Sequence, residues 1–190
     1  MPAWKTEPII SDPPMEQWYM LHLPRSGNVQ RLDSINMPNL IELDCDYNPL
    51  TTLPWNDLQN VYHLGIYSCQ FEMLELWRMP NLGYCYAGAN NSLVSVDAQG
   101  NASLDTLDIY YCQSLAYLDV TGCTSLRYIY AYGCAFDEAM VDQLLADLVT
   151  NGTTNGCLQL AGGTNAPPSD PDGLALKAIL LDRGWTIYTN

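Results

Sequence analysis

Apolar positions along this chain recur with a spacing of 21 or 22 residues. Repeats open at Trp18, Leu40, Val61, Leu82, Leu104 and Leu126. Three residues later stand Leu21, Leu43, Leu64, Cys85, Leu107 and Ile129, and two further on Leu23, Cys45, Ile66, Ala87, Ile109 and Ala131. Ser26, Asn48, Cys69, Asn90, Cys112 and Cys134 follow at the next turn. Apolar alternation with a period of two marks a short strand with one buried face. At the turn an Asn satisfies backbone groups, while a Cys thiol fills the same space as a small, mostly apolar group. A second apolar set, including Leu50 and Leu53, Phe71 and Leu74, Leu93 and Val96, and Leu115 and Leu118, returns to the core from the back of each turn. So short a repeat leaves no room for a helix there. Loops or 3₁₀ turns are expected.

The pattern breaks after Phe136. Asp137 can N-cap a helix whose buried face is Val141, Leu144, Leu145 and Leu148, with Asn151-Gly152 as its stop. A strand from Cys157 to Leu160 follows, then a Gly/Pro-rich loop through Pro168. A second helix, with Asp170 as cap and Pro171 first, runs to Gly184, and Trp185 to Tyr188 reads as a last strand. An open stack of repeats needs such a cover. The expected organisation is a Pro-rich N-terminal arm or cap over 1–17, repeats over 18–136, and a C-terminal α/β cap over 137–190.

The motif L-x-x-L-x-L-x-x-N/C, six times over residues 18–136, resembles the leucine-rich-repeat family. That resemblance implies an α/β fold: a right-handed solenoid of about six 21–22-residue repeats, with a parallel β-sheet on the concave face and a helical C-terminal cap. Gly162-Gly163-Thr164-Asn165 and Gly184-Trp185-Thr186, set among the cap elements, are similar to the caps of repeat proteins from bacteria and from tailed-bacteriophage virions.

Composition narrows the partners. Seven Lys plus Arg against 21 Asp plus Glu leave a net charge of −14, which repels phosphate backbones and anionic lipid. Neither nucleic acid nor a membrane is an expected partner. No apolar leader and no stretch of membrane-spanning length are visible. The seven cysteines are odd in number and lack a C-x-x-C pair. Cys69, Cys112 and Cys134 fall at turns, Cys45 and Cys85 point inward and Cys123 faces the core from the back, so buried reduced thiols are expected. No phosphate-binding loop, G-x-S-x-G or H-E-x-x-H occurs, so neither an enzyme nor a cofactor is expected.

The residues flanking the inward leucines define the concave surface. One column runs Met20, Glu42, His63, Tyr84, Thr106, Tyr128; the next His22, Asp44, Gly65, Tyr86, Asp108, Tyr130; the third Pro24, Asp46, Tyr67, Gly88, Tyr110, Tyr132. Seven of the thirteen tyrosines fall on these columns. Tyr67, Tyr84, Tyr86, Asp108, Tyr110, Tyr128, Tyr130 and Tyr132 are therefore the candidate binding residues. Two readings stay open: a platform for a partner, or a ladder of rings stabilising the sheet itself. Gly65 and Gly88 are expected to leave gaps beside the rings. At the other end, Glu42, Asp44 and Asp46 gather with His22 and His63, either to hold a cation or, more simply, as cross-rung pairs. Glu42/Asp44 and Asp105/Asp108 are expected to be solvated carboxylates.

The function that follows is non-catalytic binding or scaffolding. The cap resemblance and the missing leader imply an accessory phage virion component (tail, baseplate or capsid decoration) folded in a reducing cytoplasm. Its partners would be other virion proteins or a host surface molecule, a protein or a glycan. The alternative is a bacterial leucine-rich-repeat adhesin or effector.

Overall fold

The computed structural model describes residues 19–25 and 27–190. The expected arm over 1–17, the repeat start at Trp18 and the turn residue Ser26 lie outside the described residues. In chain order the strands are β1 (Met20–His22), β2 (Glu42–Asp44), β3 (His63–Gly65), β4 (Met73–Glu75), β5 (Tyr84–Tyr86), β6 (Ser95–Asp97), β7 (Thr106–Asp108), β8 (Tyr117–Asp119) and β9 (Tyr128–Tyr130). Helix α1 (Glu138–Asn151), β10 (Cys157–Gln159), α2 (Asp172–Asp182) and β11 (Thr186–Tyr188) complete the fold. It is a right-handed parallel solenoid with a helical C-terminal cap.

Eight strands form the concave sheet in the order β1-β2-β3-β5-β7-β9-β10-β11. Every pair is parallel, with Leu21, Leu43, Leu64, Cys85, Leu107 and Ile129 in one register line that Leu158 and Ile187 extend. The cap thus continues the sheet rather than merely covering its end. Leu43, Leu64, Cys85, Leu107, Ile129 and Leu158 have no solvent exposure.

The back of the solenoid departs from the expected loops and turns. Among the described residues 3₁₀ turns do occur, at Trp55–Asp57 and Leu76–Arg78, but β4, β6 and β8 form a second, three-stranded parallel sheet. The reason is a half-repeat of 11 residues: Leu82 to Asn90, Leu93 to Asn101, Leu104 to Cys112, Leu115 to Cys123 and Leu126 to Cys134 all follow one motif. Each half-turn closes the same way. The residue before the corner Asn or Cys is left-handed, with φ of 56° at Ala89, 75° at Gly100, 56° at Tyr111, 79° at Gly122 and 72° at Gly133.

The corner side chains knit successive rungs together. Asn90 is fully buried and donates to the carbonyls of Ile66 and Ala87, both at 2.8 Å. The thiols of Cys69, Cys112, Cys123 and Cys134 donate to the carbonyls of Cys45, Ala87, Ala98 and Ile109, at 3.0 to 3.4 Å. A buried backbone carbonyl without a partner is costly, so either residue type serves if it carries a donor. Asn165 repeats the device inside the cap, donating to the carbonyls of Ala131 and Leu160.

Asp137 caps α1 by accepting from the Met140 amide at 2.8 Å, and Gly152 ends it at φ 75°. α2 starts differently from the expected Asp170 cap. Pro171 takes the N-cap position, and the Ser169 hydroxyl accepts from the Gly173 amide at 3.0 Å. Gly173 sits so close to α1 that a Cβ there would fall 1.9 Å from Asp142 Oδ1.

Candidate binding face

Strand alternation turns the middle residue of each rung inward and its neighbours towards the face, so the first two columns expected from the repeat are present in register, with Thr106 buried among them. Their rings fall into two groups. Along the corner edge, Tyr67 meets Tyr47 at 5.2 Å and Tyr110 at 5.8 Å, while Tyr110 stacks on Tyr132 at 5.1 Å between ring centroids. Tyr111 closes edge-on against both Tyr110 and Tyr132. This is the stacking ladder. Along the opposite edge, His63 lies flat on Tyr84 at 4.6 Å, and Tyr62 meets Tyr84 edge-on at 5.3 Å.

Between these edges Tyr86 and Tyr130 make no ring-on-ring contact among the described residues. They flank Asp108 in register, and Tyr86 is the more open, 42% exposed. Tyr128 sits under the Arg127 guanidinium, 5.7 Å away. Asp108 is half-buried, and that burial pushes its carboxyl up to about 6 against a weak amide bond from Tyr110 at 3.5 Å. The centre of the face is an exposed ring and a half-buried one, neither stacked on another ring, around one protonatable carboxyl.

The glycine gaps are filled. A Cβ at Gly88 would lie 3.2 Å from both Tyr67 and Tyr110, because those rings close over it. At Gly65 the space is taken by the Asp46 carboxylate, 3.1 Å from the same point, which accepts from the Tyr67 amide at 2.8 Å. Sequence reasoning placed the glycines but missed the rings and carboxylate that lean into them.

The acidic end pairs with itself. His22 Nε2 lies 2.7 Å from Glu42 Oε1, and Arg25 bridges Asp44 at 3.0 Å and Asp46 at 2.9 Å. His63 stands beside Glu42 in register, as expected, and its ring lies flat on Tyr84. Among the described residues no group of three or more His, Cys, Asp or Glu converges as a metal site requires. Asp105 is not solvated as expected: it is 8% exposed and held by Arg127 Nε at 2.8 Å.

No protein-family model matches the chain. No curated protein matches it either. Among solved structures it is similar to the functional domain of InlJ from Listeria monocytogenes, described as including a cysteine ladder. Identity is 24%, TM-score 0.65, with 83% of this chain and 33% of that one covered. An internalin, InlF, from the same species has 16% identity and a TM-score of 0.35, with 93% of this chain and 62% of that one covered. This chain resembles bacterial leucine-rich-repeat proteins. It spans about a third of the length of the InlJ chain.

These comparisons correct the expected setting. The fold is matched in InlJ of a bacterium, so the assignments to a phage virion and to the reducing cytoplasm are withdrawn. That setting had rested on the cap resemblance and the missing leader, and reduced thiols add nothing to it. All seven cysteines are free, six are buried, and burial lifts Cys69 and Cys112 to about 11 and Cys123 and Cys134 to about 12. Attack on an oxidant requires a thiolate, so such sulfurs stay unreacted in either compartment. Among the described residues no helix is long and apolar enough to cross a membrane.

Proposed function

We propose that this chain is a bacterial leucine-rich-repeat adhesin module, holding a protein on a host surface against the centre of its concave face. The observation that carries the reading is the unstacked pair Tyr86 and Tyr130 around Asp108, between edges whose rings are engaged with one another. Rings locked along both edges preorganise the sheet, while unengaged central rings offer large contact area at small entropic cost. Tyr67, Tyr84, Tyr110, Tyr128 and Tyr132 act as the rim. The likeness to InlJ supports the solenoid on which this face is built; the binding role rests on the residues.

Beads coated with the protein and washed over epithelial monolayers test it. Tyr86→Ala should release them, with a loss on the order of 1–3 kcal/mol if the ring is a hot spot. Tyr117→Ala, which removes a still more exposed ring on the back sheet, should leave retention unchanged. Equal retention of both variants would refute the reading.

A further inference from the structure

Beside the concave face, along the edge where the strands begin, lies a polar groove of about 430 Å³. That volume is within the roughly 300–1,000 Å³ of small-molecule sites. One wall is Tyr62. Its ring crosses Gly83 so closely that a Cβ there would fall 2.2 Å from a ring carbon, and the edges of Tyr84 and His63 hold it in place. The ring is 40% exposed. The groove also holds the Asp105–Arg127 pair: Arg127 Nε and Nη2 reach one carboxylate oxygen at 2.8 and 2.5 Å, and the other accepts from the Thr106 hydroxyl at 3.1 Å. Ser103, Thr124, Ser125 and Thr154 supply further polar groups around it.

We infer that this groove binds a neutral saccharide. A sugar presents an apolar C–H face and a rim of hydroxyls that both donate and accept. The fixed Tyr62 ring suits the first. The hydroxyl-lined surroundings, with Arg127 Nη1 unengaged among the described residues, suit the second. Among the described residues the charged side chains lining the groove, Asp105 and Arg127, cancel, and a net charge of −14 over the whole chain disfavours an anionic ligand. The site is separate from Tyr86 and Tyr130 and does not depend on their role.

Amide shift titrations of the whole chain with maltotriose, chitotriose and mannotriose, and with sialyllactose as the anionic arm, test the inference. At least one neutral trisaccharide should move the amides of Ser103, Thr124, Ser125 and Gly152 to Thr154. Tyr62→Ala should weaken that binding at least about tenfold, equivalent to about 1.4 kcal/mol. The uncharged pair Asp105→Asn with Arg127→Gln should weaken it similarly, with both melting transitions cooperative. Tyr86→Ala should leave it intact. Silence of these amides with all three neutral sugars, a response to sialyllactose alone, or full binding by folded Tyr62→Ala would each overturn the inference.

Discussion

The two halves of the solenoid solve the same stacking problem by different means. From Leu82 to Cys134 each turn is two copies of one 11-residue motif, with a strand on each side and a left-handed residue before each corner. From Tyr19 to Val61 only the concave strand is regular. One rung before β4 the aligned segment is Thr52–Pro54, where Pro54 lacks the N–H a ladder needs. The back is instead stitched by side chains: Asp57 accepts from the Ile35 amide at 2.7 Å, Asn60 donates to the Pro38 carbonyl and Gln59 to that of Arg78, both at 2.8 Å. Their front surfaces differ in parallel. The irregular half spends its charges on one another, while the regular half leaves two rings unstacked. A rigid two-sheet frame is what lets aromatic groups stand exposed without collapsing onto each other.

The largest expected effect comes from cutting the chain after Phe136. That removes both helices and the strands β10 and β11, leaving β9 as an open edge with unpaired backbone groups. Because each rung is stabilised by its neighbours, the regular half should lose cooperative melting and aggregate on size exclusion. A soluble, monomeric, cooperatively melting fragment would show that the two-sheet frame stands without the cap.

Next is the corner. Asn90→Ala strands two buried carbonyls and should cost about 2–4 kcal/mol, while Asn90→Cys, which keeps one donor as Cys112 does, should cost roughly half as much. Urea melts read both. Equal losses would mean that the corner works by packing alone.

Acidity discriminates the halves more gently. Burial raises the carboxyls of Asp46, Asp108 and Asp147 above the unfolded value. The folded state therefore binds protons more tightly than the unfolded chain, most clearly from about pH 4 up to the Asp108 value of about 6. Stability is lost as pH rises through that window and regained on acidification. The melting temperature should be higher at pH 5 than at pH 7.5, and Asp108→Asn should flatten the difference. A flat or reversed profile in the native chain would contradict the assignment.

The smallest effect is Ala89→Gly. Ala89 holds φ at 56° in a corner where Gly100, Gly122 and Gly133 fill the equivalent positions. Glycine should relieve left-handed strain and raise stability by roughly 0.5–1 kcal/mol, net of its own entropic cost. A lower melting temperature would show that the Ala89 methyl packs usefully.

Much of this frame was legible in the residues. The concave strands and their columns follow from L-x-x-L-x-L because period-two burial admits one register. The back sheet was equally written, in Leu93-x-x-Val96-x-Ala98 and Leu115-x-x-Leu118-x-Val120, but alignment at 22 residues hides a period of 11. The sorting of rings into engaged and open was not legible. It depends on which neighbours lean over Gly65, Gly83 and Gly88, a matter of side-chain direction rather than spacing. Nor was the Arg25 clasp on Asp44 and Asp46, since it reaches across a rung from the turn after β1.

The comparison of halves is tested most directly by bead retention on epithelial monolayers for two matched double variants. Tyr86→Ala with Tyr130→Ala alters the front of the regular half. Glu42→Gln with Asp44→Asn neutralises the charge-paired front of the other. The tyrosine double should abolish retention, and the carboxylate double should keep it near the native level. Full retention by a folded tyrosine double, with loss in the carboxylate double, would place the contact on the acidic end and contradict the account.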